Sequence, residues 1–465
     1  MITNKAYKRE FLRSHGTEIR QLLRLFWPII IGQLAQCAIS VTDTVMAGAA
    51  GTIELSGVAL GAAFFNPVQL SLCGLTLAIQ PMVSQLRGAG RVQVIPKRMW
   101  TALCICLCAS LLFSLLLLLL RQCFFILDSD PRMTDVAARY TVWCAAALPA
   151  VAMTASLRSY AEGLGHTKPT LLFGLLMLAL NIPLNYCFIF GKLGLPAMGG
   201  EGCGAATMVT MYLTAVIFFI YVKKSRDYKL CRLFERSYRI TSPAVRSYLK
   251  VAVPICLSLA LEVACFSLGA LILAPFGPWV VAAHSISINI SGLFFMVPMS
   301  LAAALTIRTG HNVGARNMKQ ASIVMQSGYM ITLVCVVIFL TMLYFMRHIF
   351  VSCYSNDPQV ADYAATLLIY CCLYMCPDSF QMASIGILRG FKDTRVIMYV
   401  SFLAYWVVAI PVGYCLSHGV FSEPYMAKGI WVGFILGLSV ACICYVLRVL
   451  YIFKHTKDKS QTTTA

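Results

Sequence analysis

Apolar runs of about twenty residues recur along the whole of this 465-residue chain. Each is long enough to cross a hydrocarbon core of about 30 Å. In lipid a spanning segment must satisfy its own backbone hydrogen bonds, which leaves only helices and closed barrels. A barrel would show alternating segments of about ten residues, and none is seen. The runs therefore predict an all-α polytopic membrane protein with twelve transmembrane helices, at about 25–48, 57–80, 99–120, 141–161, 169–190, 203–222, 250–273, 280–305, 323–345, 363–387, 396–416 and 428–450. Composition agrees: 59% of residues are hydrophobic and 12% charged, and mean hydropathy is +0.78. Soluble domains carry about a quarter charged residues. The first run is too long for a signal-peptide core, carries Gln33, Gln36 and Asp43, and follows about 24 residues. It is read as a retained span.

Lys and Arg set the expected orientation. The termini and even-numbered loops hold 31 of them and the odd-numbered loops hold 6. Both termini are thus expected in the cytoplasm. The net charge of +19 then reflects topology and contact with anionic membrane lipids. It is spread over seven short segments, which argues against a nucleic-acid partner. The 20 cysteines lie mostly inside apolar runs and form no C-x2-C pair. They read as small apolar residues, with neither a zinc site nor a disulfide framework expected.

The two halves echo each other at a shift of 226 to 228 residues. "WPIIIGQLAQ" (27–36) matches "VPICLSLALE" (253–262), "SDP" (129–131) matches "NDP" (356–358), and Pro149 matches Pro377. "GLGHTKP" (163–169) matches "GFKDTRV" (390–396), "IPLNY" (182–186) matches "IPVGY" (410–414), and Gly202 matches Gly429. Six spans per half insert both halves in the same direction. The expected architecture is two pseudo-symmetric six-helix lobes in parallel repeat, with a substrate cleft between them. The expected divisions are an N-terminal segment 1–24, an N-lobe 25–222, a basic linker 223–249, a C-lobe 250–450 and a tail 451–465.

No P-loop, H-E-x-x-H, G-x-S-x-G or G-x-G-x-x-G motif is present. An enzyme is not indicated, and the chain has no ATP motor of its own. The informative residues are polar groups inside the spans, which are costly there and mark ion or substrate paths. Gln33, Gln36, Ser40 and Asp43 share one face of span 1. The glutamines and the serine suit a packing seam as well as a site, whereas packing does not need the Asp43 carboxylate. Asn181 and Asn185 share a face of span 5, and Glu262 lies about mid-span in span 7. In span 10, Asp378 has Tyr374 at i−4 and Gln381 at i+3. His284, Ser287 and Ser291 line one face of span 8, where His284 suits packing and ligand roles equally. Two clusters result, Asp43 with Asn181 and Asn185, and Glu262 with Asp378 and Tyr374. No Lys or Arg is expected at mid-span to neutralise either. Carboxylate and carboxamide oxygens suit a hard cation such as Na⁺, and a buried carboxylate can instead carry H⁺.

The stretches "QLAQCAISVTDTVMAG" (33–48), "EGLGHTKP" (162–169), "NIPLNY" (181–186), "GGEGCGAAT" (199–207), "ALEVACFS" (260–267), "PMSLAAALTIR" (298–308), "YMCPDSFQ" (374–381) and "ILRGFKDTR" (387–395) carry a further reading. In order and spacing the chain resembles the multidrug and toxic compound extrusion (MATE) family, in its NorM-like bacterial branch, over about residues 22–450. The resemblance implies efflux of cationic or amphipathic drugs in exchange for Na⁺ or H⁺, with no resident cofactor. It implies a monomer in the bacterial inner membrane. It implies cation coupling, with Na⁺ as a candidate ion, at the positions of Glu262 and Asp378, with Tyr374 beside them. It further implies an N-lobe site of Asp43 with Asn181, Asn185 and Thr207, to which Gln36 is assigned. Some relatives carry an acid where this chain has Asn185, which lowers the charge expected of that site. Gln33, His284 and Gln381 are expected along the substrate cleft. A flippase for a lipid-linked precursor is the alternative, and it calls for a basic cleft.

Overall fold

The computed structural model describes residues 2–126, 130–192, 194, 196–225, 228, 233, 238–354, 357–420 and 423–462. Ser129 and Asn356 of the repeat, part of the linker 223–249 and the last three residues of the tail lie outside them. Fourteen α-helices follow in order: α1 (Ile2–Ala50), α2 (Thr52–Leu77), α3 (Ile79–Gly88), α4 (Ile95–Leu120), α5 (Pro131–Gly163), α6 (Lys168–Phe190), α7 (Gly200–Lys224), α8 (Ser242–Leu273), α9 (Pro278–Gly314), α10 (Met318–Ser352), α11 (Pro358–Phe391), α12 (Thr394–Ser401), α13 (Ile410–Ser417) and α14 (Ala427–Thr462). A π-helical segment, Phe402–Ala409, joins α12 to α13. Among the described residues twelve helical stretches are long and apolar enough to cross a membrane, and each predicted span falls inside one of them.

The helices overrun the predicted ends, because a charged residue ends a hydropathy run without ending a helix. α1 has 49 residues, a length of about 73 Å at 1.5 Å per residue. The segment before residue 25, read from sequence only as a cytoplasmic extension, is the first half of this helix. Its Glu18 is buried and accepts both Arg308 Nε at 2.6 Å and Arg308 Nη2 at 2.8 Å. Gln320 Nε2 donates to the same carboxylate at 2.8 Å, and His15 and Gln326 are hydrogen-bonded at 2.8 Å.

The chain divides into two compact units, one of Trp27–Cys256 and one of Met1–Phe26 with Leu257–Ala465. We call them the N-unit and the C-unit. Both divisions fall inside a helix within three residues of a repeat-matched proline, Pro28 in α1 and Pro254 in α8. The compact units therefore part at 256/257 and not in the basic linker. The start of α8 is held in the N-unit by Tyr248, whose hydroxyl donates to the Leu75 carbonyl at 2.7 Å, and by Cys256 Sγ, 3.2 Å from the Ser71 carbonyl.

Within each unit the helices pack by one plan. In the N-unit α5 lies against α2, α4 and α7, and in the C-unit the matching helix α11 lies against α9, α10 and α14. The matched glycines do the same work in both. A Cβ at Gly202 would lie 2.8 Å from the backbone of Ile189, and one at Gly429 would lie 2.5 Å from the backbone nitrogen of Ser417. Such small residues let helices approach closely in a membrane protein. The tightest seam joins α11 to α9, where a Cβ on Gly386 would strike the Ala302 carbonyl oxygen and lie 2.8 Å from its Cα. Backbone cannot step aside. Gly386→Ala is expected to destabilise the protein by about 1–3 kcal/mol. Gly292→Ala, where nothing lies within 4 Å, should leave the thermal unfolding midpoint in detergent unchanged. Equal midpoints for the two variants would refute the packing argument.

Candidate functional site: two separate acid clusters

In the N-unit, Asp43 is carried by α1 where its polar face turns inward. Asn185 Nδ2 donates to Asp43 Oδ1 at 2.5 Å and to Asn181 Oδ1 at 2.9 Å. The two asparagines are fully buried one helical turn apart on α6. From α7, the Thr207 hydroxyl donates to Asp43 Oδ2 at 3.5 Å, and Cys203 Sγ lies 3.7 Å from the Asp43 carbonyl. α7 is set in place at its first turn by Glu54, which accepts the Gly200 N–H at 2.5 Å. An acidic group is favourable at a helix N-terminus. The turn needs glycine at 199, whose φ is 58° and whose Cβ would meet the Glu54 carboxylate. This accounts for the run "GGEG" locally.

Gln36 belongs to a different group. Its Oε1 accepts Arg158 Nη1 at 3.0 Å, and it lines an N-unit cavity with Gln69, Thr154, Arg158, Thr170 and Phe173. The basic partner is Arg158, which lies near the end of its span and not at mid-span. Arg158 in α5 is 3.9 Å from Glu162, one turn further along the same helix. Glu162 is buried, accepts Thr170 at 2.8 Å and is hydrogen-bonded by Gln80. The signal was present in the sequence as an i, i+4 Arg–Glu pair, but it sits at the end of a span, where charges are read as loop. Gln33 is half-buried and makes no hydrogen bond to the Asp43 group.

In the C-unit, Asp378, Tyr374 and Gln381 are all buried on α11, and Glu262 is half-buried on α8. Glu262 and Asp378 feel each other electrostatically. Arg389, buried at the end of α11, opposes the Glu262 charge electrostatically. Asp378 Oδ1 and Gln381 Oε1 are both buried without a hydrogen-bond partner. The Tyr374 ring packs edge-on to Trp431 at 5.7 Å and to Phe266 at 6.2 Å. His284 and Gln381 are buried inside the C-unit at 1% and 0% exposure. Neither His284 nitrogen has a hydrogen-bond partner, and its ring packs on Trp431 at 6.0 Å. Among the described residues no group of three or more His, Cys, Asp or Glu could hold a metal ion by those residues alone.

The repeat and these acids can be set beside known proteins. The family model described as MatE matches the chain twice, over residues 28–187 and 254–415. The chain belongs to the MatE family. The two matches begin 226 residues apart, the offset at which Pro28 meets Pro254. The chain is 34% identical to the multidrug resistance protein NorM of Vibrio cholerae over 451 residues, 96% of this chain and 98% of that protein. It is 34% identical to the multidrug resistance protein MdtK of Photorhabdus laumondii over 455 residues, 96% and 98% of the two chains. The crystal structure of a eukaryotic MATE transporter, AtDTX14, has a TM-score of 0.86 to this chain at 21% identity. It covers 97% of this chain and 100% of that one, which shows the shared fold. Members of the MatE family are transporters, and this chain is a multi-pass membrane protein of that family.

In this MatE chain both Asp43 carboxylate oxygens are engaged by hydrogen bonds, and stability should report that. Asn185→Leu removes both hydrogen bonds that the amide makes and is expected to cost about 1–3 kcal/mol. A double-mutant cycle with Asp43→Asn, read from thermal unfolding in detergent, should give a non-zero coupling. Strict additivity would mean that the 2.5 Å contact contributes nothing.

Proposed function

We propose that this protein is a secondary active multidrug efflux transporter. It exchanges cationic or amphipathic organic compounds for a coupling cation by alternating access. It works in the bacterial inner membrane as a monomer among lipids, with both termini in the cytoplasm. The orientation rests on the Lys/Arg bias, and the drug class on the names of the relatives and on acids as the unmatched charges. The observation that carries the reading is Asp378: its carboxylate is 3% exposed and one oxygen has no hydrogen-bond partner. It interacts electrostatically with Glu262, and Arg389 acts on Glu262 but not on Asp378. A buried carboxylate with an empty oxygen calls for a cation brought from outside the chain.

Coupling follows from competition. A cation and a cationic drug that favour the same negative charge each weaken the binding of the other, and that linkage is reciprocal. A gradient of the cation then drives the drug outward without a nucleotide motor. The experiment is dye efflux from reconstituted vesicles, energised in turn by a Na⁺ gradient and by a pH gradient. Glu262→Gln and Asp378→Asn are expected to abolish gradient-driven efflux while both variants elute as folded protein. Full efflux from both would overturn the reading. Asp43→Asn in the same assay shows whether the N-unit acid takes part.

A further inference from the structure

We propose that Gln381 and Tyr405 complete an oxygen-lined Na⁺ site with Asp378 and Glu262, Gln381 as a ligand and Tyr405 as the residue that orients it. The inference rests on the efflux reading above and specifies its coupling ion.

The starting point is the π-helical segment Phe402–Ala409. The Ile410 N–H donates to the Tyr405 carbonyl, five residues back, as in a π-turn. π-segments inside α-helices are rare and concentrate at functional sites. The repeat shows what this one does. From Thr167 to Pro183 in the N-unit is 16 residues, and from the matching Thr394 to Pro411 in the C-unit is 17. The counterpart stretch lies within α6, which is α-helical throughout. The C-unit therefore holds one extra residue in this span, and the widened turn absorbs it. At the offset of 228 that matches Pro183 with Pro411, the residue opposite Tyr405 is Met177.

The widened turn places Tyr405 among the acids. Its side chain is 2% exposed, and its hydroxyl is within electrostatic reach of both Glu262 and Asp378. The segment is anchored to α8 next to Glu262: Trp406 Nε1 donates to the Leu261 carbonyl at 3.3 Å, and Cys265 Sγ lies 3.9 Å from the Tyr405 carbonyl. Gln381 Nε2 donates to the Tyr405 hydroxyl at 2.6 Å. The nitrogen is held by tyrosine, and Oε1 is left buried without a partner, like Oδ1 of Asp378 one turn earlier on α11. Two buried oxygens with no donor, on residues at i and i+3, share one helix face. Unfilled acceptors are costly in such a place. Carboxylate and amide oxygens together suit a hard cation that takes several oxygen ligands. Two carboxylates and an amide offer several oxygens to one cation, and that set is what suits Na⁺.

The test is binding of radiolabelled Na⁺ to the full-length protein in lipid nanodiscs, with gel filtration as the check on folding. Tyr405→Phe keeps the ring and frees the amide, and should weaken Na⁺ affinity about tenfold. Gln381→Leu removes the ligand and should weaken it about a hundredfold. Gln381→Glu presents an oxygen whichever way it turns. Placed on Tyr405→Phe it should restore affinity, which loss of packing would not allow. Unaltered affinity in both single variants, with binding lost in Asp378→Asn, overturns this inference and leaves the coupling acids standing. Binding retained in Asp378→Asn overturns the reading beneath it. An unmodified protein that binds no Na⁺ overturns the assignment of the ion.

Discussion

A polar group placed in hydrocarbon has to find its partner inside the protein, and this one requirement sorts the residues of the chain. It makes every span a helix. It also separates polar groups that answer one another from those that do not. Arg158, Glu162, Gln80 and Thr170 form a closed set; around Asp43 both carboxylate oxygens are engaged, while Asn185 Oδ1 and Asn181 Nδ2 stay buried without a partner. Glu18 is closed off by Arg308 and Gln320. Asp378 and Gln381 are not closed, since each keeps a buried oxygen without a donor. Closed sets hold a bundle together.

The two units share a packing plan but not a site, and sterics explain part of the difference. Asp43 corresponds, at the repeat offset of 226, to Gly269. A Cβ at Gly269 would lie 2.8 Å from the Phe434 ring and 3.3 Å from Ile430. The volume that holds a carboxylate in one unit is filled by aromatic packing in the other, so an acid could not be kept there. The C-unit acids stand elsewhere, on α8 and α11. The extra residue in the span that holds Tyr405 is the matching departure on the neighbouring helix. Duplication supplied one scaffold twice, and single-residue changes at glycine, proline and π-turn positions gave the copies different interiors.

The spans and the duplication were legible in the sequence because both rest on composition and spacing. Twelve apolar runs lie inside twelve helical stretches, and Pro28 with Pro254 marks where α1 and α8 pass from one compact unit to the other. The meeting of Asn185 with Asp43 was legible too, since both stood on inward faces of their spans. What sequence could not show was rotation and partner choice. Gln36 shares a helix face with Asp43, yet its amide turns to Arg158. Arg158 and Glu162 escaped notice because hydropathy assigns charges at a span end to the loop. Tyr405 escaped because an apolar aromatic run reads alike in α and π geometry, and only the backbone reveals which side chain the widened turn brings inward.

The two acids present different costs to an arriving ion. At Asp43 the Asn185 amide already holds one carboxylate oxygen at 2.5 Å, and the Thr207 hydroxyl approaches the other at 3.5 Å. A cation there must displace or share those donors, and the asparagines it frees are fully buried and would need new partners. At Asp378 no donor has to leave Oδ1, and the amide of Gln381 has its nitrogen already engaged by Tyr405. Binding at the second place costs less reorganisation, because the groups that would face the ion are held in position before it arrives. The difference comes from hydrogen bonding at the carboxylate oxygens, together with the deeper burial of Asp378, since Asp43 is half-buried.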